Sequence, residues 1–168
     1  LIDELCKIQD LEDKRLAVLL LFLYAEDSSS ELLKKENIEN KFLFICAKCG
    51  ENTGSRPLSL SEKIEKLIAK NIIDAELSEP FKLLNNIRNR MIHDISPDND
   101  KIINWLKEYK PKTTEALKNR LEKEDVWVKF YICLVAAIEN IYREILGANE
   151  LMYIEKNTVT NKWTFYLK

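Results

Sequence analysis

The scarcity of turn-forming residues is the feature that most restricts how this chain folds. Its 168 residues include only three glycines and four prolines, while 46% are hydrophobic and 32% are charged. Few glycines and prolines, with many leucine, isoleucine, lysine and glutamate residues, favour long helices over a sandwich or barrel. A chain of this length can bury one hydrophobic core. We therefore predict an all-α fold, a helical bundle in a single domain.

Helical periodicity divides the first part of the chain. Residues 1–27 predict a helix with a possible break near residues 10–13, and a serine-rich loop over 27–30 is expected to cap a second helix over 31–49. Residues 51–57, with a glycine and a proline, are typical of a loop. In the first helix an apolar stripe is expected to face the core, and it consists of Leu16, Leu19, Leu20 and Leu23.

Capping signals place the next three helices. Ser59 and Glu62 have the spacing of a capping box, which predicts a helix through Lys70. A helix is expected to start at residues 78–80 and to end before Pro97, because a residue that precedes proline disfavours the α conformation. Asp98 or Asp100 is then expected to cap a helix through residue 109.

The last part of the chain changes character. One long helix is predicted over residues 113–146, ending at Gly147. Two runs rich in β-branched and aromatic residues, 151–154 and 163–167, predict a short β-hairpin. We therefore expect residues 1–148 to form the bundle, with the hairpin of residues 149–168 appended to the same domain.

Charge and hydropathy exclude several classes of protein. The longest apolar run, residues 16–25, is too short to cross a bilayer, and no secretory signal pattern opens the chain. We therefore expect a cytoplasmic protein without membrane contact. The net charge of −2 provides no global attraction to a nucleic-acid duplex, although a local basic site remains compatible with it.

Two of the four cysteines, Cys46 and Cys49, form a CxxC pair. A structural zinc site takes four ligands, but the chain has no second such pair, and its single histidine belongs to another motif. We therefore expect ordinary helix residues with reduced thiols. No metal or other cofactor is predicted.

The helix expected over residues 80–95 separates an apolar face from a polar face. At about 100° per residue, one side collects the core residues Phe81, Leu84, Ile87, Met91 and Ile95. His93 falls almost opposite, in line with Asn86 and Asn89. It is either a solvated surface residue or part of an interface or catalytic site, since histidine titrates near neutral pH and can move protons.

Arg88 lies five positions before His93, about 140° around the same helix. Two such side chains cannot easily meet over one reacting atom on a regular helix. Two arrangements resolve this: the helix loosens at His93, or two copies of the chain assemble the site across a two-fold interface.

The segment Arg88-Asn89-Arg90-Met91-Ile92-His93 resembles the signature of the HEPN superfamily, an arginine, a polar residue, three further residues and a histidine. Its context is similar to the mannitol operon repressor branch of that superfamily. The similar stretches are residues 13–17, 58–64, 69–73 and 83–89, together with the long helix around Phe130. The resemblance covers about residues 10–146 and leaves the C-terminal hairpin outside it.

The resemblance implies a helical bundle that dimerises with its motifs facing each other, and a metal-independent endoribonuclease of a toxin–antitoxin or antiviral system. His93 would then act as acid or base at the RNA 2′-hydroxyl, Arg88 would stabilise charge on the phosphorane, and Asn89 would position the histidine or the phosphate. Secondary candidates are Arg90, Asp94 and Asn86. The implied partners are RNA and an antitoxin or other protein. The alternative is a non-catalytic dimeric module for regulation or protein interaction, as in the mannitol-repressor branch.

Overall fold

The computed structural model describes residues 2–45, 47–94, 97–107, 121–147, 152–157, 159–160 and 162–167, and these are mostly helical. The helices with described bounds are α1 (Ile2–Gln9), α2 (Lys14–Lys35), α3 (Leu60–Ala69), α4 (Ser78–His93), α5 (Asn99–Leu106) and α6 (Val126–Leu146). A 3₁₀ turn, Ala75–Leu77, leads into α4. The strands form two separate antiparallel hairpins, β1 (Lys41–Ile45) with β2 (Asn52–Pro57) and β3 (Met152–Lys156) with β4 (Trp163–Leu167).

Helix α6 forms the centre of the hydrophobic core. It packs against α2, α4 and α5, and α2 also packs against α3. The hydroxyl of Tyr131 donates a hydrogen bond to the carbonyl of Leu5, which joins α6 to α1. The fully buried side chains of α6 include Phe130, Tyr131, Leu134, Ala137, Ile138 and Ile141.

Helix α2 continues through the segment where the sequence predicts a loop. Ser28 and Ser30 lie inside the helix, and their hydroxyls donate to the carbonyls of Ala25 at 3.3 Å and Glu26 at 2.7 Å. Because serine can satisfy its hydroxyl on the preceding turn, the polar run does not interrupt the helix. The loop prediction for residues 27–30 is therefore wrong. The break before α2 is confirmed, since Asp13 caps it by accepting from the backbone N–H of Arg15 and Leu16.

Of the four leucines predicted to form the apolar stripe of this helix, only Leu20 packs against the core, where it is half-buried. The core face of α2 is formed by Ala17, Val18, Leu21 and Ala25. Leu16, Leu19 and Leu23 remain 46%, 44% and 62% exposed. They are spaced three and four residues apart, so they share one face of the helix opposite the core. We call these three residues the leucine stripe.

A β-hairpin replaces the helix predicted over residues 31–49. Helix α2 ends at Lys35, Asn37 has a positive φ of 55°, and β1 pairs with β2 in the segment where a loop is predicted. Runs of aromatic and β-branched residues favour strands, and Phe42 packs edge-on against Phe44 with 5.6 Å between ring centroids. Cys49 is exposed in the connection between the strands, so it is not a helix residue. Cys46 lies outside the described residues.

Most of the remaining boundaries agree with the sequence. The capping box of Ser59 and Glu62 is present, α4 ends at His93 before Pro97, Asp98 caps α5, and Gly147 ends α6 with a φ of 62°. The single long helix predicted over 113–146 is wrong, because Asp125 caps a helix that begins only at Val126. Residues 108–120, which hold the predicted start of that helix, lie outside the described ranges.

The C-terminal hairpin is confirmed. The side-chain oxygen of Asn157 accepts from the backbone N–H of Val159 at 2.9 Å and Thr160 at 3.0 Å, which closes the turn. Trp163 is only 3% exposed and belongs to the core. Lys162 forms an ion pair with Asp10 at 2.6 Å. These contacts join the hairpin to the helical bundle.

Candidate functional site

Helix α4 positions the motif as the helical wheel predicts. Phe81, Leu84 and Ile87 are buried, and Met91 is half-buried beside them. Ile95, the last residue predicted for this face, lies outside the described part of the chain. His93 is exposed in the last turn. The apolar face therefore fixes the rotation of α4 and directs the opposite face outward. We call Asn86, Asn89 and His93, which lie on this opposite face, the polar stripe.

The polar stripe borders an open groove of about 900 Å³ between α4 and α5. Its described lining consists of Asn86, Asn89, Arg90, His93, Asp94 and Trp105. The structure therefore brings together five of the six residues that the sequence nominates, and it adds a tryptophan from α5. An imidazole, two amides and a guanidinium face the same space. These groups can bind an anion and exchange a proton with it.

Helix α5 contributes two side chains that the sequence analysis missed. The Nζ of Lys101 lies 3.1 Å from the Oδ2 of Asp94, so the carboxylate at the end of α4 is ion-paired. The ring centroid of Trp105 lies 5.8 Å from the guanidinium carbon of Arg90, within the range of a cation–π contact. The sequence does carry a signal for Trp105. This residue follows Ile102 by three positions, so it borders the buried face of an amphipathic helix that starts just after Pro97.

Arg88 takes a different direction from the groove residues. It is half-buried, and its Nη1 donates a hydrogen bond to the Oδ1 of Asn89 at 3.1 Å. Its guanidinium carbon lies 5.1 Å from the ring centroid of Phe22 on α2. Arg88 is not among the described groove residues. Within one chain, therefore, the arginine that opens the motif and the histidine that closes it face different surfaces.

Asn89 joins these two surfaces. Its amide lines the groove with His93, while its side-chain oxygen accepts from Arg88. One hydrogen bond therefore connects Arg88 to a residue of the groove. Among the residues that the structure describes, no group of three or more histidine, cysteine or acidic side chains is arranged to hold a metal ion.

Comparison with known proteins returned no match to a family model, to a curated protein or to a solved structure. Within the described ranges, no helix combines the length and the apolar character that crossing a membrane requires.

Proposed function

We propose that this chain is a HEPN-type endoribonuclease that works as a dimer and needs no metal ion. The observation that carries the proposal is the groove in which His93 lies beside Arg90, Asn86 and Asn89. An exposed histidine next to a guanidinium suits a reaction in which a proton moves and charge develops on a phosphate. RNA supplies its own nucleophile, the 2′-hydroxyl, so this chemistry can proceed with side chains alone.

In the proposed reaction, the 2′-oxygen attacks the adjacent phosphorus while the neutral imidazole of His93 accepts the hydroxyl proton. The bond between phosphorus and the 5′-oxygen breaks, and that oxygen takes a proton from an imidazolium. The products are a 2′,3′-cyclic phosphate and a 5′-hydroxyl, and no electrons are exchanged with another group. In a symmetric dimer the second imidazole is the His93 of the other copy, so one can act as base and the other as acid.

The division of the motif between two surfaces supports the dimer. Arg88 contacts Phe22, and Phe22 lies three residues from Leu19 on the surface of α2. The leucine stripe therefore borders the face that holds Arg88. A second copy that covers this stripe would bury Arg88 at the interface, where its charge can reach a phosphate held between the two protomers. The stripe and Arg88 would then lie in one two-fold contact.

The test measures cleavage of single-stranded RNA, with EDTA present, by the unaltered protein and by His93→Ala and Arg88→Ala. Loss of acid–base help is worth about 10²- to 10⁴-fold in rate, and Arg88→Ala is expected to reduce the rate through lost charge stabilisation. Lys82→Ala is the matched control, because Lys82 is an exposed cation of α4 outside the described groove lining. Equal cleavage by all variants, or none by any, would remove the nuclease proposal.

A non-catalytic dimeric interaction module is the second candidate. It is favoured by the engagement of Arg88 with Asn89 and Phe22, which keeps its charge away from His93 within one chain. This candidate predicts that the unaltered protein forms a dimer, and that neither it nor the variants cleave RNA. The products distinguish the two, since a nuclease of this class leaves cyclic phosphate ends and an interaction module leaves the RNA intact.

A further inference from the structure

Trp105 is the one tryptophan in the described ranges that is not buried. Trp127 and Trp163 are 4% and 3% exposed, whereas Trp105 is half-buried. Part of its ring packs against the hydrophobic core, and the remainder lines the groove that holds His93. Since burying an indole fully is favourable, a half-covered ring beside the motif is surface that a ligand can still cover.

Arg90 makes this surface suitable for a nucleotide. Its guanidinium carbon lies 5.8 Å from the Trp105 ring centroid, and its side chain is exposed in the groove. RNA-binding proteins stack unpaired bases on aromatic rings and on guanidinium planes, and arginine also pairs with phosphate oxygens. An indole and a guanidinium in contact therefore offer a face for a base and donors for the phosphate attached to it.

We propose that Trp105 and Arg90 form a base-stacking subsite, and that the substrate is RNA with an unpaired base next to the cleaved phosphate. This inference rests on the proposed function, since it assigns a role within the same groove. A paired base is stacked within its duplex and cannot cover the ring without being displaced. The subsite therefore selects single strands, loops and bulges over duplex RNA.

The geometry orders the groove along its length. His93 and Asp94 lie at the end of α4, Arg90 lies one turn earlier, and Trp105 faces Arg90 from α5. A base stacked at Trp105 would bring its phosphate to the Arg90 side of His93. The imidazole then meets the sugar-phosphate link while the base is held beside it.

The first experiment follows tryptophan fluorescence while the unaltered protein is titrated with a short single-stranded 2′-O-methyl RNA. This probe has no free 2′-hydroxyl and cannot be cleaved by the proposed reaction. The buried Trp127 and Trp163 are shielded, so stacking is expected to quench the Trp105 emission. The same strand in a duplex is expected to cause little quenching, and Trp105→Phe is expected to abolish the signal.

The second experiment measures affinity for the labelled strand by anisotropy. Trp105→Leu is expected to weaken binding about 5- to 150-fold, equivalent to about 1–3 kcal/mol for one stacked base, and Trp105→Phe is expected to retain part of the affinity. Tyr153→Leu is the control, because Tyr153 is an exposed aromatic residue on β3, outside the described groove lining. If Trp105→Leu fails to fold, the fluorescence titration of the unaltered protein still decides.

The outcomes separate this subsite from the nuclease itself. Quenching and weakened binding without RNA cleavage would support the stacking subsite and remove the nuclease. RNA cleavage with unchanged Trp105 fluorescence, or with equal affinity after Trp105→Leu, would overturn the subsite and leave the nuclease in place. Equal affinity for single-stranded and duplex probes would also overturn it, and so would the absence of any binding.

Discussion

Replacing Leu19 and Leu23 with aspartate should convert the proposed dimer into a monomer. Leu16, Leu19 and Leu23 are 46%, 44% and 62% exposed. Their exposed surface together amounts to about one and a half leucine side chains per protomer. Burying a whole leucine is worth about 1.5–3 kcal/mol. Covering the stripe on both protomers would therefore contribute about 5–9 kcal/mol, before the cost of association. The double substitution removes most of this gain and brings four like charges together at the contact.

Sedimentation velocity over a range of concentrations measures this effect directly. The double variant should sediment as a monomer at concentrations where the unaltered protein is a dimer. The double variant should remain folded, because Leu19 and Leu23 face away from the buried core. Leu146→Asp is the control, since Leu146 is 72% exposed at the end of α6 and lies outside the stripe. An unchanged dimer in the double variant, or the same dissociation in the control, would refute the reasoning.

Two further predictions concern acidic side chains and pH. Burial raises the pKa of Glu139, and the nearby Arg143 opposes this only in part. The cost of its charge is therefore absent below its usual pKa of 4.5 and grows as the pH rises toward the folded value. Glu139→Gln should raise the melting temperature by a few degrees at pH 7.5 and change it little near pH 4. Calorimetry at both pH values measures this, and a lower melting temperature at pH 7.5 would contradict the prediction. The hydrogen bond from Arg56, and then those from Ser59, lower the pKa of Glu62 from 4.5 to about 2, so its contribution is complete above pH 4.5 and disappears as the pH falls toward 2. Glu62→Gln should reduce the unfolding free energy by about 1 kcal/mol at pH 7. Denaturant melts at pH 7 and pH 3 measure this loss of unfolding free energy, and an equal loss at both pH values would contradict the assignment.

The sequence predicts α4 well because its pattern is one-sided. Phe81, Leu84 and Ile87 recur on one face, and most of the remaining positions are polar, so one rotation buries the main apolar side chains. The exposure of His93 and the divergence of Arg88 follow from that rotation and helical geometry. Five of the six residues nominated for the site therefore lie in the groove.

The rotation of α2 could not be predicted in the same way. Its first half is apolar almost all round, so Leu16, Leu19 and Leu23 form as good a stripe as Ala17, Val18 and Leu21. Periodicity cannot choose between two apolar faces, and the choice is made by packing against α3, α4 and α6. A different limit applies to Trp105, whose position in the groove depends on how α5 folds back beside α4 and not only on the pattern within α5.

The β1–β2 hairpin was missed for a related reason. A short apolar run such as residues 42–45 suits a buried helix segment as well as a strand. The preference for a hairpin comes from contacts between residues far apart in that segment. Phe44 accepts at its carbonyl from the hydroxyl of Thr53 at 3.1 Å, and Arg56 packs over the ring of Phe42 with 4.8 Å to its centroid.

The ion pair between α2 and α3 contributes to the choice of which face of α2 is exposed to solvent. Lys63 is only 5% exposed, and its ammonium donates to the carboxylate of Glu26 and, at 2.8 Å, to the hydroxyl of Ser30. A turn of α2 by one residue, about 100°, would carry both acceptors away and leave a buried charge without its partner, at a cost of about 3–5 kcal/mol. Either apolar face of α2 could pack into the core, and the ion pair of Lys63 makes one of these two rotations more stable than the other. The pair therefore favours one rotation of α2 about its axis, and the outward direction of the leucine stripe depends in part on a charge on another helix.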